Sequence, residues 1–270
     1  MYETTYDTTP ETVSQRIQFL GLPLDIGVTI DTICGYLNEK EPARFITFIN
    51  PSAWAQAKRS PDYLTALQKT SLNLADGQGV AVLCQKLTGL PCSRISFDMT
   101  SLADPFFKAA VAAGATLMLV GGKPGVDESV HGKLQAYYPK IKIVGTQHGY
   151  GDFEPKTAEI MAKAPDVVIV AMGTPRQENF ILHLKDSGFK GIAITCGGFF
   201  DQYLQADPYY PKWIDRWNLR FAYRLYKEPR RLWQRYLLDY PVYLKEAGKA
   251  FVEKYRSPAF TRSSGKNVSP

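Results

Sequence analysis

The residues of this chain best suited to chemistry are a few carboxylates, amides and arginines set among glycines. Asp76 comes first. The stretch Ala75-Asp76-Gly77-Gln78-Gly79 lies between two apolar helical patterns. By itself an Asp-Gly pair is a turn, because Asp hydrogen-bonds nearby backbone and Gly accepts positive φ. A carboxylate held still by such a turn is also a serviceable general base. Asn50 closes an apolar segment upstream, and Arg94 and Asp98 follow downstream. Four further loops are rich in glycine or proline: Gly121-Gly122-Lys123-Pro124-Gly125, His148-Gly149-Tyr150, Gly173-Thr174-Pro175-Arg176-Gln177-Glu178 and Gly197-Gly198-Phe199-Phe200-Asp201. Glycines let backbone N–H groups approach a phosphate, and a helix N-terminus adds a favourable dipole. One such loop is ordinary punctuation; four together favour a phosphorylated or nucleotide ligand. No P-loop and no G-x-G-x-x-G occurs, which disfavours NAD.

The elements that must position these loops follow from hydrophobic periodicity. Phe19 to Ile26 reads as an edge strand or hairpin, since Pro23 argues against a central strand. Thr29 to Asn38 has helical spacing, and Arg44 to Asn50 reads as a buried strand. Helices over 51–58 and 61–69 precede a short strand, 72–75, that delivers Asp76 to its end. A helix over 79–87 and another ending at Ala113 follow. Beyond them, strands over 116–120, 141–145, 166–172 and 191–196 alternate with helices. Strands apolar on both faces and separated by helices imply an α/β fold, a parallel sheet covered by helices on both faces. In such sheets the ligand lies beyond the carboxyl ends of the strands.

The 270 residues, 45% of them apolar, suffice for a sizeable core. Cys34, Cys84, Cys92 and Cys196 form no paired spacing and read as buried thiols in a reducing compartment. His131, His148 and His183 are scattered, so no built-in metal is expected. The first twenty residues do not resemble a secretory leader, and no uncharged run approaches the roughly 18–20 residues of a membrane span. A cytoplasmic location is expected.

The net charge of +6 is concentrated late in the chain, where residues 212–262 hold thirteen Lys/Arg against five Asp/Glu. Trp213, Trp217, Phe221 and Leu225 recur every four residues, beside Lys212, Arg216, Arg220 and Arg224. Pro229 and Pro241 interrupt this pattern. Short helices carrying aromatics and cations suit an anionic membrane surface, where each Lys or Arg contributes on the order of 1 kcal/mol. An ordinary amphipathic helix packed on the domain is the simpler reading. No nucleic-acid-binding module is visible, and nucleic acid is not expected as a partner. The resulting division is a flexible tail over 1–18, a catalytic domain over 19–211, a basic membrane-associating helical appendage over 212–256 and a disordered tail over 257–270.

Taken in order, the motifs around Asp76, Arg94, Gly121, His148, Gly173 and Gly197, together with Tyr223-Arg224-Leu225 and Glu228-Pro229-Arg230-Arg231-Leu232-Trp233, resemble the WecG/TagA/CpsF family of bacterial glycosyltransferases across roughly residues 20–245. The resemblance implies a Rossmann-like fold and a metal-independent, inverting hexosyl transfer without a cofactor. The implied donor is a UDP-sugar carrying N-acetylmannosamine, its uronic acid or glucose. The implied acceptor is a saccharide on a polyprenyl diphosphate, at the inner face of the cytoplasmic membrane, during assembly of a cell-surface polysaccharide. A homo-oligomer is compatible with it.

By the same resemblance Asp76 matches the general base and Asn50 a polar residue lining the pocket. Arg94 and Gln177 match residues near the sugar and diphosphate, and Tyr150 and Asp201 match nucleotide contacts. Gly77, Gly121, Gly122, Gly173 and Glu178 complete the expected donor-binding set. Arg224, Arg230, Arg231 and Arg235 are expected to meet diphosphate or membrane, with the segment from Lys212 folding over a core that stands without it. The chain departs from the pattern at Phe48, where the family has Thr; Thr47 sits one step too early and on the opposite face of the strand. It departs again at Arg220-Phe221, in place of Glu-Trp, and around Ala206-Asp207-Pro208. A nucleotide-dependent oxidoreductase or ligase would carry a dinucleotide fingerprint, which is missing. A non-catalytic membrane-associated nucleotide-binding scaffold would have lost Asp76 and the phosphate loops, which are present.

Overall fold

A computed structural model describes residues 14–39, 42–205 and 235–256, together with Tyr223, Tyr226 and Trp233. Six strands run parallel in one sheet: β3 (Arg44–Ile49), β4 (Leu72–Ala75), β5 (Thr116–Gly121), β6 (Lys142–Gln147), β7 (Val167–Ala171) and β8 (Ile192–Thr195). Their spatial order is β4-β3-β8-β7-β5-β6. A parallel sheet buries both faces, so each strand must be apolar on both sides. On β5, Leu117 and Leu119 enter one core while Met118 and Val120 enter another. On β7, Val167 and Ile169 oppose Val168 and Val170 in the same way. Each such side chain contributes about 1.5–3 kcal/mol on burial.

The first face is covered by α1 (Ile30–Gly35), α5 (Ala103–Ala113), α6 (Val126–Tyr137) and α9 (Phe199–Gln205). The second is covered by α2 (Pro51–Arg59), α3 (Pro61–Lys69), α4 (Gln78–Thr88), α7 (Phe153–Lys163) and α8 (Arg176–Asp186). The α/β class and the doubly covered parallel sheet expected from periodicity are therefore present. Cys84 and Cys196 are buried as expected, whereas Cys34 and Cys92 are only half-buried.

Two boundaries differ from expectation. The chain is already ordered at β1 (Gln15–Phe19), inside the stretch expected to be a tail, and β1 pairs antiparallel with β2 (Leu22–Ile26). Leu20 and Gly21, both at positive φ, make the tight turn between them. This hairpin shields the outer edge of β4, which would otherwise be open to pairing. The shielding is polar at its centre: buried Asp25 accepts from the Asn73 backbone N–H at 2.7 Å and from Arg16 Nη2 at 2.8 Å. Arg16 in turn donates to the carbonyls of Thr70 and Ser71.

The second difference concerns the C-terminal segment. Pro241 does not break a helix; it is the second residue of α10 (Tyr240–Arg256). A wide helical turn, Arg235–Asp239, precedes it. Nor is α10 separable from the catalytic domain, because Tyr243 is buried in the core formed by α2, α3 and α4. Its ring meets Trp54 edge-on at 5.6 Å. The aromatic and basic stripe from Trp213 to Leu225 lies outside the described residues, apart from Tyr223. Among the described residues no helix is long and apolar enough to cross a membrane.

Tyr243→Ala should lower unfolding free energy by about 3 kcal/mol, the cost of emptying a buried aromatic site. Urea denaturation followed by tryptophan fluorescence measures it, and a wild-type midpoint would mean that α10 adds nothing to the core.

Candidate active site

Parallel strands bring all six carboxyl ends to one rim of the sheet. Across that rim, in order, stand Asp76 after β4, Asn50 after β3, Gly197 after β8, Gly173 after β7, Gly121 and Gly122 at the end of β5, and His148-Gly149-Tyr150 after β6. The rim spans about 24 Å if neighbouring strands are about 4.8 Å apart.

Asp76 is half-buried at one end. Its backbone N–H donates to the Ile49 carbonyl at 2.9 Å, tying the loop after β4 to β3. Gly77 follows at φ +97, a conformation that side chains rarely adopt, and opens α4. The carboxylate thus lies just ahead of a helix N-terminus, where the dipole favours negative charge. Ser96 Oγ donates to Asp76 Oδ1, and Asn50 Nδ2 approaches Oδ2 at 3.4 Å. Asn50 does a second job: its Oδ1 caps α2 by accepting from the N–H groups of Ser52 and Ala53 at 3.1 and 3.0 Å. With the carbonyl oxygen committed to the helix, the amide nitrogen must face Asp76.

Ser96 is not among the residues singled out in the sequence, because it lies 20 residues from Asp76, between Arg94 and Asp98. The available signal was the alternation Ile95-Ser96-Phe97, whose apolar members are buried. Arg94, two residues earlier, makes its ion pair with Asp98 at 2.8 Å. It therefore stands beside the Asp76 loop without a salt bridge to Asp76.

The centre of the rim is a buried polar cluster. Gln177 Oε1 accepts from the Gly197 N–H at 3.1 Å, and its Nε2 donates to Glu178 Oε1 at 2.9 Å. Glu178 Oε1 also accepts from Thr47 Oγ1 at 2.9 Å, and Thr47 meets Thr195 Oγ1 at the same distance. Glu178 was expected among the donor contacts. It is fully buried, so its carboxyl acts through Gln177, whose amide it orients. Thr47 faces this cluster, on the opposite side of β3 from Phe48, which enters the apolar core with α5 and α9. Phe48 therefore leaves no hydroxyl on its own side of the strand.

At the far end the glycine loops interlock. The Gly122 N–H donates to the Ala171 carbonyl at 3.0 Å, and the Gly149 N–H to the Gly122 carbonyl at 2.8 Å. A Cβ on Gly121 would stand 2.4 Å from the Ala171 carbonyl oxygen, so only glycine fits there. Arg176 Nε donates to the Gly149 carbonyl at 3.0 Å, and its Nη2 reaches the Gly151 carbonyl. Tyr150 is 58% exposed. Asp201 is half-buried in the first turn of α9, and Gly173 turns the chain into α8 at φ +75. Among the described residues, no group of three or more His, Cys, Asp or Glu is placed to hold a metal. Arg224, Arg230 and Arg231 lie outside the described residues, and Arg235 begins the turn before α10.

A doubly covered parallel sheet with glycine loops and a held carboxylate on one rim is a Rossmann-like α/β enzyme architecture. The chain belongs to the glycosyl transferase WecG/TagA/CpsF family, whose sequence profile matches residues 17–257, and it is a glycosyltransferase. It is 30% identical over 234 residues to a UDP-Gal:alpha-D-GlcNAc-diphosphoundecaprenol beta-1,4-galactosyltransferase of Shigella boydii, covering 84% of this chain and 94% of the relative. It is 33% identical over 210 residues to an N-acetylglucosaminyldiphosphoundecaprenol N-acetyl-beta-D-mannosaminyltransferase of Bacillus subtilis (strain 168), covering 77% and 80%. A Staphylococcus aureus (strain MW2) relative with that same activity name is 27% identical over 241 residues, covering 87% and 93%.

Burial holds the Glu178 carboxyl above the usual glutamate value of 4.5, against the opposing hydrogen bonds from Gln177 and Thr47. A raised folded pKa gives stability that is complete below the unfolded value and lost as pH rises through the folded one. Glu178→Gln keeps the acceptor and cannot ionise. It should flatten the fall in melting temperature as pH rises above the usual glutamate value, followed by calorimetry; a slope equal to that of wild type would mean that burial does not raise the Glu178 carboxyl.

Proposed function

We propose that this glycosyltransferase moves a hexose or N-acetylhexosamine from a UDP-sugar to a saccharide carried on a polyprenyl diphosphate, with inversion at the anomeric carbon. The observation that carries this reading is Asp76, held by Ser96 and Asn50 on the same rim as the interlocked glycine loops. The names of the relatives support the lipid-diphosphate acceptor. The Shigella relative is named for galactose, a donor outside the three sugars implied by the sequence motifs.

In this reading the UDP-sugar lies along the rim. Its nucleotide is toward Tyr150 and Asp201, its diphosphate over the glycine loops and the N-terminus of α8, and its sugar toward Asp76. A sugar hydroxyl is a weak acid, so Asp76 takes its proton as the oxygen attacks the anomeric carbon. The bond to the UDP oxygen breaks on the opposite face, and UDP leaves with the electron pair. In this reading Gln177, its amide held by Glu178, fixes the Gly197 loop beneath the diphosphate. Arg94 and the arginines at 224, 230, 231 and 235 are the cations available to offset the developing charge.

The lipid acceptor requires a membrane surface. The exposed side of α10 supports one: Leu244 is 64% exposed, and Phe251, Val252 and Tyr255 are exposed with it. Lys245 and Lys249 lie on the same helix. Apolar residues among lysines suit the boundary between headgroups and acyl chains.

Incubation with a panel of UDP-sugars and a polyprenyl-diphosphate-linked sugar, with products identified by mass, tests the reaction. Asp76→Asn should bind UDP normally and lose about 100- to 10,000-fold in kcat; near-normal turnover would return Asp76 to a turn residue. Leu244→Glu with Val252→Glu should reduce sedimentation with anionic vesicles and leave UDP affinity unchanged. Undiminished sedimentation would remove α10 from the membrane contact.

A further inference from the structure

The base pairing of Asp76 and Asn50 is set by the first turn of α2, and that turn is gripped from the far end of the chain. Asp239, in the turn before α10, is buried. Its Oδ2 accepts from Ser52 Oγ at 2.5 Å and its Oδ1 from Arg59 Nη2 at 2.5 Å. Ser52 and Arg59 are seven residues apart, two turns along one face of α2. One carboxylate therefore fixes both the rotation and the axial position of that helix. Ser52 is itself held, accepting from Gln56 Nε2 at 3.3 Å.

Ser52 also donates its backbone N–H to Asn50 Oδ1, the cap whose other amide atom points at Asp76. A continuous path thus runs from Asp239 through Ser52 and Asn50 to Asp76. A second contact reinforces it, since Tyr243 of α10 packs on Trp54 in the same helix. A third joins α10 to α4, which starts two residues after Asp76: Lys254 Nζ donates to the Lys86 carbonyl at 2.6 Å. Both helices that leave the Asn50–Asp76 pair are thereby held by residues 239–256.

We propose that Asp239 is a positioning residue for glycosyl transfer. Through Ser52 and the Asn50 cap it sets the geometry of Asp76. This rests on Asp76 being the base.

The effect belongs in kcat, because α2 is at the opposite end of the rim from the nucleotide loops. Asp239→Ala should lower kcat about 10- to 100-fold, the scale of a misplaced catalytic group, with the KM for donor within about twofold of wild type. Ser52→Ala should do the same, and the double variant should be no slower than either single one, because both cut one path. Asp239→Asn keeps an acceptor for Ser52 and should restore most of kcat while losing the ion pair with Arg59. An unchanged kcat in Asp239→Ala, or multiplicative losses in the double variant, would overturn the proposal. Should Asp239→Ala fail to fold, Ser52→Ala decides the point on the same criterion. Asp76→Asn measured in parallel separates the two ideas. Full activity there defeats the base itself, whereas an inactive Asp76→Asn beside a normal Asp239→Ala defeats only the positioning role.

Discussion

All six strands of the sheet run in one direction, and most of the architecture follows from that constraint. A parallel strand cannot return by a tight turn, so each connection crosses a face of the sheet and brings a helix with it. Both faces are then covered, every strand must be apolar on both sides, and every helix following a strand begins at the same rim. Backbone N–H groups, glycine turns and loop side chains collect there because no other part of the sheet admits polar groups so readily. The rim that gathers the candidate site is thus a consequence of strand direction.

Within that frame, four buried or half-buried carboxyls are managed in different ways. Asp25 is charge-paired with Arg16 and takes a backbone N–H of β4, closing an edge strand with a hairpin. Among the described residues Glu178 has no salt bridge and is held by hydroxyls and an amide, the arrangement suited to a neutral acid that orients a neighbour. Asp239 joins a distant helix to the start of α2. Asp76 keeps part of its surface open and, among the described residues, is approached by the side chains of Ser96 and Asn50. Desolvation decides which of these can meet substrate. Asp76 and the exposed ring of Tyr150 remain reachable, whereas Glu178 does not.

The C-terminal segment changes meaning in this light. Its basic, aromatic composition reads as an appendage laid over a finished domain, yet Tyr243 and Asp239 contribute to the core and to the support of α2. A helix with one side in the core and the other presenting Leu244, Phe251 and Val252 can couple a surface to the site without a separate hinge.

Much of this was legible in the chain itself. The strands over Thr116–Gly121 and Val167–Ala171 announce themselves as short unbroken apolar runs, and Asp-Gly at 76 and 77 marks its turn by chemistry local to two residues. Gly121 and the loops at 148–151 and 173–178 were readable for the same reason, as glycine reports a local backbone requirement. What the sequence concealed was long-range pairing among polar residues. Ser96 finds Asp76 across 20 residues, Thr47 finds Glu178 across 131, and Ser52 finds Asp239 across 187. Periodicity and turn preference arise within a few residues and are written in order along the chain. A hydrogen bond between distant side chains exists only after the sheet has placed its strands side by side, so the sequence alone determined the layers and the rim, and the tertiary structure alone decided which carboxylate would be held for chemistry and by what.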